Sequence, residues 1–340
     1  MTNDNNNNEI IRLIAGGGAI PIDQYMALCL QHESIGYYRQ GNPLKNDFTT
    51  SPQQSQAFGE LIGAWLLAKY QRQNCILAEL GPGTGAMLAD IWRVTGDKLQ
   101  NTAQITLVES SETLRDIQKS RLAKLHPAPR HPPSWLNEAG ELPQGALYLV
   151  ANEFLDALPV RQYIADNNEW RERGVAADKN GNLNFCLLPA RPPLPETKPT
   201  DGGVIEFCSA AMSVVEFVAR QIAEHGGAAL FIDYGYETPP LRSTFSAIRR
   251  GAAADPLLFS GDCDLSFFVD FSALRGRVAA LGLPNLRCEV EEQGAFLRRH
   301  GLEARARTLE QNSPRAATAA RGLADTAGLG AFRVMSLTRD

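Results

Sequence analysis

From residue 75 onward the chain alternates two hydrophobic patterns. Short, nearly unbroken apolar runs at 75–80, 104–109, 146–151 and 228–233 fit strands buried on both faces. Between them, residues from about 84–95, 110–125 and 211–224 place apolar side chains at three- and four-residue spacing, the period of a helix with one buried face. Strand, helix, strand in this rhythm predicts an α/β fold built on a doubly wound parallel sheet.

The rhythm breaks in two places. Arg161 to Leu188 reads as strands around the hairpin turn Asp178-Lys179-Asn180-Gly181, and a Pro-rich loop, 190–203, follows. Residues 161–203 are therefore expected to form a β-rich lobe inserted into the fold. Upstream, two short helical patterns are interrupted by Gly16-Gly17-Gly18 and Pro21, and an aromatic, loop-like stretch follows. Ser51-Pro52-Gln53-Gln54 predicts a helix start, with Ser51 as N-cap and Pro52 at the first helical position. Phe58, Leu61, Ile62, Trp65 and Leu66 then share one face. The stretch 126–134 carries too many prolines for a helix and reads as a surface connection. After a long segment, 235–268, helices are expected near 270–281 and 292–324, with a last strand at 332–337. The expected organisation is a disordered tail at 1–8, a helical N-terminal extension with a possible flap at 9–74, and a cofactor-binding core at 75–160. The inserted lobe at 161–203 and the remainder of the core with helical additions, 204–340, complete it.

Composition narrows the function classes. With 340 residues and 44% hydrophobic content the chain can bury a full core. A net charge of −5 and no long basic run argue against a nucleic-acid partner. Six cysteines without a C-x-x-C pair, and five histidines in no ligand spacing, point to no metal site. No run of 18 apolar residues suggests membrane insertion, and the start MTNDNNNN carries no signal or transit pattern, so a cytoplasmic, bacterial location is expected.

The stretch ELGPGTG, residues 79–85, joins the first strand to the first helix of the alternating core. Gly81, Gly83 and Ala86 fit the G-x-G-x-x-G/A turn of dinucleotide enzymes. Gly81, Gly83 and Gly85, with Pro82 between, equally fit a turn that holds S-adenosylmethionine. Charge separates the two: Glu79 would repel a pyrophosphate but attract an ammonium and a sulfonium. Glu109, at the end of the next strand, is placed to accept ribose hydroxyls, which suits either ligand; it could equally favour the following helix start through its dipole.

Acceptor chemistry is expected beyond the fourth strand, where Asn152-Glu153-Phe154-Leu155-Asp156 places an amide and two acids. At that spacing Glu153 and Asp156 would share one side of a helical turn. Two carboxylates suit a guanidinium, whose fork of donors they could hold with one nitrogen toward a methyl group. Asp233 and Tyr234, after the restored strand, could line a substrate pocket. Tyr37 and Tyr38, with Thr50 and Ser51, could form a flap that excludes water.

Taken in order, DFTTSPQQSQAFGELIGAW, ELGPGTGAMLADIWR, ANEFLDALPVRQ, FIDYGY, DPL with DLSFFVDF, and EEQGAFLRRHG resemble the MidA-like family of S-adenosylmethionine-dependent methyltransferases over roughly residues 20–338. The resemblance implies a class I methyltransferase sheet, with Gly81, Gly83 and Gly85 around the methionine part of the cofactor, Glu109 at the ribose and the NEF block facing the acceptor. Mitochondrial members methylate arginine and assist assembly of respiratory complex I. That implies a protein partner presenting an arginine, possessed here by a chain with Gly251 and alanines where the family pattern carries a histidine. An NAD-dependent oxidoreductase and a non-enzymatic, cofactor-binding assembly factor are the alternatives.

Overall fold

The computed structural model describes residues 3–39, 51–200 and 202–339. Among them, two compact units are drawn from interleaved segments: Met1–Phe48, Asp156–Ala211 and Tyr236–Asp270 in one, Thr49–Leu155, Met212–Gly235 and Phe271–Asp340 in the other.

The second unit is built on a seven-stranded sheet. Its strands in chain order are β1 (Cys75–Leu80), β2 (Ala103–Val108), β3 (Ser134–Leu136), β4 (Ala146–Asn152), β5 (Gly227–Asp233), β6 (Leu286–Glu292) and β7 (Arg333–Arg339). Their spatial order is β3-β2-β1-β4-β5-β7-β6. The first five run parallel, and β7 is antiparallel to both β5 and β6. The central strands β1, β4 and β5 are buried along their whole length, which explains their continuous apolar runs.

Helix α1 (Gln56–Lys69) packs on α2 (Ala86–Leu99), and small residues set the distance. A Cβ on Gly59 would come within 2.7 Å of the Asp90 Cβ, and one on Gly63 within 3.0 Å of the Ile91 carbonyl oxygen. Phe58, Ile62, Trp92, Leu77 and Leu230 fill the core beneath this crossing.

One expectation is corrected in this unit, and others are refined. Ser51 does not cap the long helix: Ser51–Gln54 is a separate short turn, and Ser55 caps α1 by accepting the Ala57 N–H. The expected surface connection ends in the edge strand β3, which pairs with β2. The other edge strand, β6, has no counterpart in the reading above, because its alternating charges Arg287, Glu289 and Glu291 break the apolar run that marks a central strand. The helical stretch 292–324 is three helices, separated at Gly301, which adopts a left-handed φ of 101°, and at Ser313 before Pro314.

The first unit carries a five-stranded antiparallel sheet made of Ile20–Pro21, Arg161–Asp166, Glu169–Ala177, Leu183–Pro189 and Val204–Phe207. Asn167 and Asn168, both left-handed, turn the first long hairpin, and the Asp178 turn makes the second. The lobe is thus larger than 161–203: its core joins Val175 and Leu183 to Ile10, Ile14, Tyr25 and Met26 from the N-terminal helices and to Leu265 and Phe267. The expected disordered tail is likewise corrected. A helix spans Asn3–Gly17, anchored where Ile10 and Ile14 enter that core.

Candidate active site

In the second unit the strand order reverses between β1 and β4, and open α/β sheets bind ligands in the crevice beyond the strand ends at such a point. The loop leaving β1 there has Gly81, Gly83 and Gly85 at φ of 60°, 52° and 73°, a left-handed region costly for residues with a Cβ. The Gly85 N–H donates to the Pro82 carbonyl at 2.7 Å, closing the turn before α2 begins. A Cβ on Gly81 would lie 2.9 Å from Phe154 Cδ2, so the glycine turn and the segment after β4 are pressed together.

Two carboxylates flank this turn. Glu79 is 2% exposed, and its Oε2 has no hydrogen-bond partner among the described residues. Burial holds its carboxyl well above the usual carboxylate range, against the stabilising N–H of Leu88 in the first turn of α2. Glu109 stands just past β2. Its Oε1 accepts the Ser111 N–H at 2.7 Å and its Oε2 the Gln118 amide at 3.3 Å. Burial raises this acid too, opposed by those two donors. Ser111 in turn caps helix α3 (Glu112–Leu122). Glu109 therefore shapes the helix start, as one expectation held, with its carboxylate oriented by these two donors.

Gln118 was not singled out from the sequence. A signal existed: Leu114, Gln118 and Leu122 recur at four-residue spacing, so an amide sits in an otherwise apolar helix stripe.

The segment after β4 is not a helical turn. Glu153 is left-handed at φ 52°, its N–H donating to the Ile232 carbonyl at 2.9 Å. The cause is Asp233, whose carboxylate accepts the N–H groups of Phe154 at 3.1 Å, Leu155 at 2.8 Å and Tyr234 at 2.9 Å. Asp233 is buried with both oxygens engaged by these backbone donors, so it shapes the loop. The Glu153 carboxylate is only partly buried and accepts the Asn152 side-chain amide at 2.9 Å, with the Ser51 N–H at 3.4 Å. Asn152 Oδ1 and Ser51 Oγ are buried with no hydrogen-bond partner among the described residues. Tyr234 is half-exposed, its ring 3.8 Å from that of Phe332.

Asp156, Tyr37 and Tyr38 belong to the first unit. The chain passes from one unit to the other after Leu155, which assigns Glu153 and Asp156 to different bodies. The Asp156 carbonyl accepts the Phe267 N–H at 3.2 Å. Tyr38 donates to Asp264 Oδ1 at 2.6 Å, and burial, reinforced by the negative charge of Asp264 and Asp156, holds its hydroxyl well above the ordinary tyrosine range. Tyr37 packs edge-on against Tyr38 with centroids 5.2 Å apart and is buried. Thr50 and the part of the expected flap beyond Arg39 lie outside the described residues.

The order β3-β2-β1-β4-β5-β7-β6 with a reversed β7, and the glycine turn after β1, define a class I methyltransferase sheet carrying an added β-rich lobe and N-terminal helices. A family described as "Putative S-adenosyl-L-methionine-dependent methyltransferase" matches residues 61–287, and the chain belongs to it. It is an S-adenosylmethionine-dependent methyltransferase, which sets aside the dinucleotide reading of the glycines and the non-enzymatic alternative. The chain is 33% identical over 334 residues to the human "Protein arginine methyltransferase NDUFAF7, mitochondrial", covering 88% of this chain and 74% of that protein. The mouse protein of the same name is 34% identical, at 87% and 74% coverage. A Burkholderia thailandensis protein crystallised bound to S-adenosyl-homocysteine superposes with a TM-score of 0.84 at 26% identity, covering 98% of this chain and 92% of that one.

Proposed function

We propose that the chain transfers a methyl group from S-adenosylmethionine to a guanidinium nitrogen of a protein arginine. One observation carries the reading: at the strand ends around the glycine turn, Glu79 Oε2 and Asn152 Oδ1 are buried acceptors with no hydrogen-bond partner among the described residues. Unpartnered buried acceptors are costly, and a ligand with an ammonium and a sulfonium supplies the donors and positive charge that a pyrophosphate lacks.

S-adenosylmethionine supplies an electrophilic methyl on its sulfonium. The chain's own contribution is positioning. Gly81, Pro82, Gly83 and Gly85 let backbone approach the methionine part, Glu79 and Asn152 answer its positive charge, and Glu109 accepts the ribose hydroxyls. Glu153 would localise the guanidinium charge on the far nitrogens, leaving the near nitrogen oriented and better able to attack, the proton leaving as or after the methyl arrives. Asp233 sets the left-handed turn that aims Glu153. Ser51, whose N–H faces the Glu153 carboxylate, is assigned to acceptor binding.

Arginine as acceptor is supported by relatives named protein arginine methyltransferases. From the family resemblance we extend the proposal to a subunit of a respiratory complex I, modified in a bacterial cytoplasm. The test has two arms. Calorimetric titration should give a Kd in the micromolar range for S-adenosyl-homocysteine, roughly −8 kcal/mol, and no comparable binding of NAD. Labelled methyl from the cofactor, incubated with cell lysate and mapped by mass spectrometry, should appear on arginine; label on lysine or on small molecules alone would overturn the acceptor.

A further inference from the structure

We infer that Gln118 is a positioning residue for the cofactor, its amide anchored on the glycine turn and acting by orienting the ribose-facing acid; the inference rests on the reading of Glu109 as ribose acceptor. Gln118 is fully buried on α3, two turns beyond the Ser111 cap. Its Nε2 donates to the Gly83 carbonyl at 2.8 Å and to Glu109 Oε2 at 3.3 Å, and its Oε1 accepts the Trp135 indole N–H at 2.8 Å. A Cβ on Gly85 would touch the Gln118 Cγ at 3.5 Å, so the turn also packs on the same side chain.

The chemistry of the three partners leaves one orientation for this amide. An indole N–H can only donate, whereas a carbonyl and a carboxylate can only accept. Trp135, carried by the edge strand β3, therefore fixes which end of the amide faces Gly83 and Glu109. The Ser111 N–H holds the other Glu109 oxygen, so the carboxylate plane is set by two donors at once. Carboxylate oxygens have further lone pairs, and a plane held in advance presents them to a diol without an ordering cost on binding.

If Gln118 acts through Glu109, its effect must vanish when Glu109 is gone. The experiment is a double-mutant cycle on the full chain, with Kd for S-adenosyl-homocysteine measured for wild type, Glu109→Ala, Gln118→Met and the double variant. Gln118→Met should weaken binding about tenfold, and the double variant should bind within about twofold of Glu109→Ala. Multiplying losses, or wild-type affinity in Gln118→Met, overturns the inference. Should Glu109→Ala bind as wild type does, the ribose reading itself fails, a result separate from the first two. The near-isosteric Gln118→Glu guards against misfolding. It should bind progressively more weakly as pH rises, because a second carboxylate then charges beside Glu109, whereas a purely structural role predicts a pH profile parallel to wild type.

Discussion

The two sides of the proposed site in the second unit, one for the cofactor and one for the acceptor, are made differently. On the cofactor side, three glycines in five residues take left-handed conformations in succession, and the neighbouring acid is held by a residue two positions on in its own turn. On the acceptor side, Glu153 reaches the same left-handed region without being glycine, and a carboxylate from the end of another strand keeps it there. The glycine turn takes its conformation from local backbone preference and is only braced by distant residues, whereas the Glu153 loop takes its conformation from contacts between segments distant in the chain. Local devices tolerate change elsewhere in the molecule; the acceptor loop depends on β5 as much as on its own residues.

The sharpest way to break this contrast is Glu153→Gln. It should lower methyl transfer on the order of 10²-fold or more while leaving cofactor affinity nearly intact, the split expected of an acid that handles the acceptor alone. Wild-type turnover in a folded, cofactor-binding variant would move the acceptor chemistry elsewhere. Removing the support is the next test: Asp233→Ala leaves three N–H groups without their acceptor and should cost about 2–3 kcal/mol of stability. Denaturant unfolding reads it, and a loss below about 0.5 kcal/mol would show that water replaces the carboxylate there.

On the cofactor side, Glu109→Ala should weaken S-adenosyl-homocysteine binding by about 1–3 kcal/mol without altering turnover at saturating cofactor. Gly81→Ala should destabilise the fold by the cost of a left-handed alanine, about 1–2 kcal/mol, read as a lower melting temperature, and Phe154 within 2.9 Å of the added methyl works in the same direction. The smallest effect is a proton. Burial keeps the Glu79 carboxyl protonated to higher pH than usual, and a cation bound beside it lowers that pKa. Binding should therefore release a fraction of a proton, and affinity should rise with pH above the ordinary carboxylate range. Titrations in buffers of different ionisation enthalpy measure the release, and uptake of a proton would contradict the assignment. The same shift has the opposite sign for folding, since a carboxyl harder to ionise in the native state costs stability as pH rises above its unfolded value.

Much of the cofactor side was legible in the chain because its signals are short-range. A buried strand needs a continuous apolar run, as at Cys75–Leu80, and a left-handed turn needs glycine, as at 81, 83 and 85. The Asn167-Asn168 turn and the edge strands β3 and β6 carry weaker marks, because asparagine is tolerated in many turns and half-exposed strands lack the apolar run.

Sequence alone was enough to determine the alternating core, the glycine turn, and Glu79 and Glu109 as its flanking acids, because each depends on residues within a few positions of one another. Only the tertiary structure decided that Asp233 is a scaffold for the Glu153 loop, that Gln118 joins Gly83 to Glu109, and that Asp156 belongs to a different unit from Glu153. It also decided that the N-terminal helices share a core with the lobe far along the chain. These depend on which strand ends and helix faces meet, and a hydrogen-bond partner eighty residues away leaves no periodicity or turn signal in the chain itself.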